Sequence, residues 1–572
     1  ITKLKSTDPV NTLIVSSIQK MSNISEEAND EGNSLQSHDI ALINDKRLVF
    51  IVDEAHRSTF GDMLITIKET FPSAVFFGFT GTPIQEENQK KLNTTSSVFG
   101  NELHRYSIAD GIRDKNVLGF DPYKVMTYKD KDIKKEIALQ KAKASTEIEA
   151  LANPKKKEVF NRYMRKVAMA GHTRVDGTYV KGIEDDVPTS QYTSAEHQIK
   201  VVEDILENWT CLSQNNKFHA IFATSGIIEA IDYYRLIKQA EPSLKVTALF
   251  DPNIDEGSDY SGNAVLKQEG LVEIMEDYNA RFGQDFTLAN HAKFKKDLAA
   301  RLAHKKPYLR IEKVPDQQIH LLIVVDQMLT GFNSKWLNSL YLDKVLKFEK
   351  IIQAFSRTNR LYLESEKPFG TIRYYRFPHS MERNINDAVK LYSGYKPVGL
   401  FVDKLEKNLK KINIIYDKIV ELFVNAEVDH FKKIPSEQTV CAQFAKLFAD
   451  LNKHLEAAKI QGFTWSELTY SFGKGKKKTE VALHLDENIY LIMTLRYKEL
   501  FSGGEVGGGT GDVPFEISGH LTEIDTGKID SDYMNSRFEK YLKTIRQRGV
   551  GSEDIQKTVD ELHKSFATLA QE

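Results

Sequence analysis

Leu48-Val49-Phe50-Ile51-Val52-Asp53-Glu54-Ala55-His56 decides how this chain is read. Five apolar residues run directly into two adjacent carboxylates. A short run of this kind reads as a strand buried on both faces. Its C-terminal end then puts Asp53 and Glu54 at the crevice where open α/β sheets take ligands. Carboxylates there suit nucleotide hydrolysis. Asp53 can hold Mg²⁺ through water, and Glu54 can orient or deprotonate an attacking water. Taken alone, the run is equally well a strand that ends in a polar loop.

Working outward, apolar runs recur at the spacing of βα units. Thr12 to Ile18, Leu48 to Val52 and Ala74 to Phe79 read as strands of a parallel sheet. Asp130 to Lys166 is lysine-rich and reads as a helical insertion or connector. The rhythm returns with a helix over His197 to Trp209. Strands follow at Phe218 to Ala223, Lys245 to Phe250, His320 to Val325 and, more weakly, Ser339 to Leu342. Asp251 to Tyr308 is polar and predicts a helix-rich insertion. After residue 385 the pattern changes to helical spacing: Leu405, Leu409, Ile412, Ile419 and Phe423, repeated over Val440 to Ala457. Thr464-Trp465-Ser466-Glu467 has capping-box form and predicts another helix. Gly503 to Gly511 reads as a linker, with two helices expected beyond it.

Three further segments complete a pattern. Phe79-Thr80-Gly81-Thr82-Pro83 follows the second strand, one βα unit after the acidic pair. Alone it is a turn; in that position its hydroxyls can bond the acidic pair and change with nucleotide state. Leu322 to Asp326, then Leu329-Thr330-Gly331-Phe332-Asn333, is a strand with a glycine loop, where Gly331 lets a phosphate or backbone approach closely. Gln353-Ala354-Phe355-Ser356-Arg357-Thr358-Asn359-Arg360 predicts a helix with Arg357 and Arg360 on one face at i and i+3. Two guanidiniums there suit a triphosphate reached across a cleft.

Composition narrows the class. The chain has 572 residues and a formal net charge of -2, so no global basic field marks it for nucleic acid. Any such contact must come from local patches. Two cysteines, Cys211 and Cys441, are too few for a disulfide framework and fit a reducing compartment. No apolar run approaches a membrane span, and no signal peptide is evident.

The order D-E-A-H, T-G-T-P, glycine loop, Q-A-F-S-R-T-N-R resembles the superfamily-two helicases and translocases. Ile14-Val15-Ser16-Ser17-Ile18-Gln19-Lys20, Phe77-Gly78-Phe79-Thr80-Gly81-Thr82-Pro83, Ser97-Val98-Phe99-Gly100 and Met328-Leu329-Thr330-Gly331-Phe332 bring it nearer to one group. They resemble the motor (R) subunit of type I restriction enzymes, over about residues 10–375. The resemblance implies an α/β fold: two RecA-like parallel-sheet lobes followed by an α-helical domain. The boundaries expected are 1–118 for a partial first lobe, 119–385 for the second lobe with insertions, 386–500 for the helical domain, and 501–572 for a C-terminal helical or linker region. It also implies ATP and Mg²⁺ as cofactors, with Asp53, Glu54, Arg357 and Arg360 catalytic and Asp53 holding the metal through water. His56, Thr80, Gly81, Thr82, Gly331 and Gln353 would bind ATP or couple its hydrolysis to movement. Ser16, Ser17, Gln19, Lys20, Thr224, Ser225 and Thr330 would touch DNA, on phosphate rather than base edges. Expected partners are double-stranded DNA and the methyltransferase (M) and specificity (S) subunits, in the cytoplasm and away from membrane.

Two departures stand beside this. A G-x-x-x-x-G-K-[ST] phosphate loop should precede the D-E-A-H strand, and none occurs. Gly473-Lys474-Gly475-Lys476-Lys477-Lys478 is too short and misplaced, and reads as a solvated basic loop. The D…E-x-K nuclease of that family is also missing. The expectation is a chain that starts inside the first lobe, with little ATPase or nuclease activity alone. The alternatives are another DNA-dependent ATPase of the superfamily, such as a remodeller or repair translocase, or a non-catalytic scaffold that keeps the lobe folds.

Overall fold

The computed structural model describes residues 13–22, 24, 37–56, 60–85, 94–174, 176–251, 261–363, 366–393, 400–473 and 478–502. The chain divides into two units, residues 1–362 with 367–503, and residues 363–366 with 504–572. The architecture below belongs to the first unit. The expected linker at Gly503 to Gly511 and the helices beyond it lie outside the described residues, as does Lys474 to Lys477.

The strands are β1 (Val49–Val52), β2 (Val75–Gly78), β3 (Gly119–Lys124), β4 (His172–Thr173), β5 (Tyr179–Val180), β6 (His219–Thr224), β7 (Val246–Leu249), β8 (Leu321–Val324), β9 (Leu337–Asp343), β10 (Phe369–Tyr374), β11 (Thr469–Phe472) and β12 (Thr479–Ala482). β1 and β2 form a parallel pair. Six others form one parallel sheet in the order β3-β10-β9-β6-β8-β7. The fold is α/β. β6, β8 and β9 are buried at every position, as continuous apolar runs in a doubly covered parallel sheet should be. Phe222 illustrates the packing: its ring meets Tyr233 edge-on at 4.7 Å and Tyr341 at 6.5 Å. Helices Ala195–Ser213, Ile227–Ala240 and Pro378–Tyr392 bury apolar stripes against this sheet. Among the described residues no helix is long and apolar enough to cross a membrane.

The small parallel pair behaves differently from expectation. One face, with Phe50 and Phe76 stacked at 4.8 Å, packs on Ile40, Ile43, Ile67 and Phe71. The other is open: Ile51 is 69% exposed and Val49 56%. The D-E-A-H strand is therefore buried on one face only, because among the described residues one helical layer covers a two-stranded sheet. Of the strand expected over Thr12 to Ile18, Thr12 lies outside the described residues and the rest is not a strand. Leu13 to Ser17 has no strand partner among the described residues, and Ile18–Ser22 is a short helix.

Beyond the large sheet, helices Leu405–Asn425 and Gln438–Ile460 pack through Leu409, Ile412, Ile419 and Phe423 against Phe444, Phe448, Leu451 and Leu455. Thr464 to Glu467 forms a turn rather than a helix start. The chain runs on into the hairpin β11–β12, and the Thr464 N–H donates to Tyr470 OH of β11 at 2.9 Å. Helix Pro378–Tyr392 runs through residue 385, and the sheet's core continues to Leu400, so the helical domain's own core begins near Leu405. The two cores are joined at the edge strand. Buried Asp121 of β3 accepts from Lys404 Nζ and from Gln461 Nε2, the latter at 2.9 Å.

At the head of β8, His320 Nδ1 accepts the Lys245 N–H at 3.2 Å. Burial, with the charges of Lys245 and Arg281, pushes the His320 imidazole down to about 4. Between that value and the ordinary 6.5 the unfolded chain binds more protons than the folded one. Stability is therefore complete above about pH 6.5 and falls as pH drops toward 4. This residue should contribute about 2 kcal/mol less at pH 5 than at pH 7. Urea midpoints measured at both pH values should show the loss in the parent chain and a flatter dependence in His320→Asn. Equal slopes would exclude the assignment.

Candidate functional site

Asp53 to His56 is the turn that follows β1. Glu54 sits there at φ 52°, a left-handed conformation uncommon for a residue with a side chain. Its N–H donates to Asp53 Oδ1 at 2.9 Å. Both carboxylates are exposed, while His56 is buried beneath them. His56 Nδ1 lies 2.8 Å from Thr80 Oγ1 and 3.3 Å from Glu54 Oε2. The hydroxyls of T-G-T-P are expected on the acidic pair; Thr80 instead meets His56, which itself lies beside Glu54. Thr80 Oγ1 also accepts the Thr82 N–H at 3.1 Å, folding Gly81 outward. Gly78 explains the spelling F-G-F before that turn. A Cβ there would meet the Phe99 ring at 2.8 Å.

Gln353 reaches this turn from the other sheet. Its Nε2 lies 2.8 Å from His56 Nε2 and donates to Thr82 Oγ1 at 3.0 Å. A carboxamide nitrogen carries two hydrogens, one for each partner. His56 Nε2 then accepts, which leaves the ring proton on Nδ1, facing Thr80 and Glu54. Residues 297 apart in the chain are joined by one side chain.

The arginines are not on one helical face. Helix Glu349–Phe355 ends before them, with Arg357 in the turn that follows and Arg360 beyond it in irregular chain. Carbonyl groups replace the helix as their guide. Arg357 Nε donates to Gln353 O at 3.0 Å, and Nη1 donates to Phe332 O. The second bond ties it to the glycine loop, where Gly331 has φ 74° and Thr330 and Gly331 are exposed. Burial pushes the Arg357 guanidinium down to about 10; the charge of Arg360 adds to this, and the carboxylate of Glu54 opposes it. Glu54 and Arg357 therefore lie within electrostatic reach of each other. Arg360 Nε is buried without a hydrogen-bond partner, a donor that an anionic oxygen would satisfy. Lys367, invisible to motif reading, holds this stretch. Its fully buried ammonium donates to the carbonyls of Leu337 at 2.7 Å and of Lys335 and Arg360 at 3.1 Å. The signal that could have found it is a lone lysine beside the start of a buried strand.

The residues expected to touch DNA are scattered. Ser16, Ser17, Gln19 and Lys20 are exposed at the start of helix Ile18–Ser22. Ser225 is half-buried and donates to Asp343 O at 3.1 Å. Thr224 corrects the expectation: it is fully buried, and its hydroxyl donates to Gly226 O at 3.1 Å, so it cannot present that group to a phosphate. Beneath Ser225 lies a buried charge network that sequence reading missed. Asp343 takes Arg376 Nη2 at 2.8 Å, His197 Nε2 at 2.9 Å and Tyr233 OH at 2.8 Å. Burial alone would raise the Asp343 carboxyl, yet the His197 hydrogen bond and the Arg376 charge hold it below its ordinary value.

A parallel sheet whose loops meet a D-E-A-H turn, with R-T-N-R beside it, defines a helicase-like α/β protein. Three family models match consecutive stretches: SWI2/SNF2 ATPase over residues 2–159, Type I restriction enzyme subunit R domain 3 over 216–377, and Type I restriction and modification enzyme - subunit R C terminal over 400–571. Among curated relatives, the Type I restriction enzyme SauMRSORF196P endonuclease subunit of Staphylococcus aureus is 33% identical over 390 residues, 67% of this chain and 35% of that protein. The SsaAORF53P endonuclease subunit of Staphylococcus saprophyticus is 34% identical over 389 residues, again 67% and 35%. A solved structure, the ATP-dependent Type ISP restriction-modification enzyme LlaBIII bound to DNA, aligns over 75% of this chain and 32% of its own, with TM-score 0.30 and 12% identity, too distant to carry detail. The chain belongs to the type I restriction enzyme R-subunit family. It spans about a third of the length of the curated relatives it matches.

Gln353→Ala removes both bonds to the D-E-A-H and T-G-T-P turns. Amide hydrogen exchange across Thr80 to Ile84 should accelerate roughly tenfold, equivalent to ~1.4 kcal/mol, while amides of β6 stay protected. Unchanged exchange at Thr82 would show that the contact carries no weight.

Proposed function

We propose that this chain is the motor portion of an R subunit, coupling ATP hydrolysis to movement along double-stranded DNA before cleavage by the assembled enzyme. The observation that carries the reading is the reach of Gln353 to His56 and Thr82, with Arg357 in the field of Glu54. Glu54 would orient or deprotonate the attacking water, its carboxylate held beside His56. Arg357 and Arg360 would meet the negative charge that develops on the transferred phosphoryl group. Gln353, Thr80, Gly81 and Thr82 would pass the state of the acidic turn to the larger sheet, because Gln353 and Arg357 flank the same helix end. Gly331 and Thr330 would follow through the Phe332 carbonyl that Arg357 binds.

Mg²⁺, when bound, neutralises phosphate charge and orients water. Asp53 fits this role as an exposed carboxylate. Among the described residues no group of three or more His, Cys, Asp or Glu side chains could hold a metal. Asp53 is the residue that would hold the ion, through water. Ser16, Ser17, Gln19, Lys20, Ser225 and Thr330 would contact the DNA backbone, which moves the duplex without reading it. Partnership with M and S subunits, and a cytoplasmic location, belong to the same proposal. It is favoured over a scaffold because Arg360 Nε is buried without a partner, a cost that an anion would offset.

In the assembled enzyme, Glu54→Gln should lower ATP turnover by about 10²- to 10⁴-fold with nucleotide binding retained. Normal turnover in that variant would sink the motor reading, and a scaffold would show no ATP-linked defect at all.

The chain carries no G-x-x-x-x-G-K-[ST] sequence. Assayed alone, the 572 residues should therefore show little DNA-stimulated ATPase activity. A steady-state phosphate-release assay checks this, and robust turnover would overturn it.

A further inference from the structure

Between residues 129 and 174 the chain has thirteen lysines and arginines and six acids, although the whole protein carries a net charge of -2. This segment leads out of β3 through helices Asp130–Ala142, Glu147–Ala152 and Pro154–Arg165. Much of its charge is neutralised locally. Lys135 pairs with Glu147 at 3.1 Å, Lys141 with Asp186 at 2.7 Å and Lys156 with Glu149 at 2.5 Å. The last helix is different. Lys155, Arg162, Arg165 and Lys166 are exposed, and no carboxylate among the described residues comes within 4.0 Å of them. At 3.6 residues per turn these four fall on one face, opposite buried Phe160.

Glu158 is the one acid on that face, so four cations and a single carboxylate leave it with an excess of positive charge. Arg162 repels Arg165 at i+3 and Lys166 at i+4. Lys155 stands at the helix N-terminus, where the macrodipole disfavours positive charge. The helix packs through Phe160 on Ala138, Leu139 and Ala142 of the first helix of the segment. The connection returns to the sheet at Tyr192 to His197. There Arg376 Nη2 donates to Tyr192 O at 2.9 Å and to Asp343 Oδ2 at 2.8 Å, and His197 bonds Asp343 at 2.9 Å and Thr127 at 2.9 Å. Asp343 O takes the Ser225 hydroxyl. The segment is thus anchored at the C-terminal rim of the sheet, on the network that also fixes Ser225.

We infer that the Lys155, Arg162, Arg165 and Lys166 face of helix Pro154–Arg165 is a binding surface for the phosphate backbone of duplex DNA. The inference rests on the reading of the chain as a DNA motor and adds a contact to it. Residues 160–215 lie between the first two family matches, so the family models do not cover most of this face.

The test is fluorescence anisotropy of a short random-sequence DNA duplex with the full chain, without nucleotide, across a salt series. Each DNA phosphate that a variant no longer neutralises should reduce the slope of log K against log salt by about 0.9. The triple substitution Lys155→Gln, Arg162→Gln, Lys166→Gln should therefore flatten the slope by about two to three and weaken binding tenfold or more. Lys155→Arg, Arg162→Lys, Lys166→Arg should restore both. Lys135→Gln with Lys141→Gln, which removes paired lysines of the same segment, should leave both unchanged. Circular dichroism confirms that each variant folds. Two results overturn the assignment: equal slopes for parent and glutamine triple, or absence of duplex binding by the parent. Neither of them bears on ATP turnover in Glu54→Gln, so the two readings fail separately.

Discussion

One carboxamide carries the connection on which the candidate site depends. Gln353 uses both amide hydrogens, one on His56 and one on Thr82, and so joins the turns after β1 and β2 to the helix after β9. Each bond is modest in net free energy, on the order of 1 kcal/mol. Their value is geometric. They set the tautomer of His56, aim its Nδ1–H at Thr80 and Glu54, and bring the Arg357 guanidinium within the influence of that carboxylate.

The rest of the larger sheet is held by interactions that are costly to break. Asp343 is removed from water and answered by Arg376, His197 and Tyr233. Asp121 is answered by Lys404 and Gln461, and Lys367 by three carbonyls. A buried ion left without its partners is worth several kcal/mol against the fold. Such groups specify geometry more than they stabilise. Asp343 fixes the loop that carries Ser225 and the return of the basic segment. Asp121 fixes the helical domain to the edge strand. Lys367 fixes the chain that bears Arg360.

Where sequence reading went astray, the cause was a neighbour the local pattern could not name. Leu48 to Val52 is as apolar as β8, yet one face stays open because a single helical layer covers the pair β1–β2. Arg357 and Arg360 sit three apart, as on a helix, but the helix ends at Phe355 and backbone carbonyls orient Arg357 instead. Thr464 to Glu467 has the letters of a helix cap and becomes a turn into a hairpin. Thr224 has the hydroxyl of a phosphate contact and spends it on the Gly226 carbonyl.

The amino-acid order alone determined the alternation of strand and helix, the α/β class, the helical character after the sheet, and the identity of the acidic and basic segments. Those follow from period and residue type, which are local properties. Only the tertiary structure decided which side chains meet. It put Gln353 on His56, set Phe99 against Gly78, buried Thr224 and Lys367, and left one face of a helix with four cations to a single acid. Contacts between residues hundreds of positions apart depend on how sheets and loops close in space, and no window along the chain contains both partners.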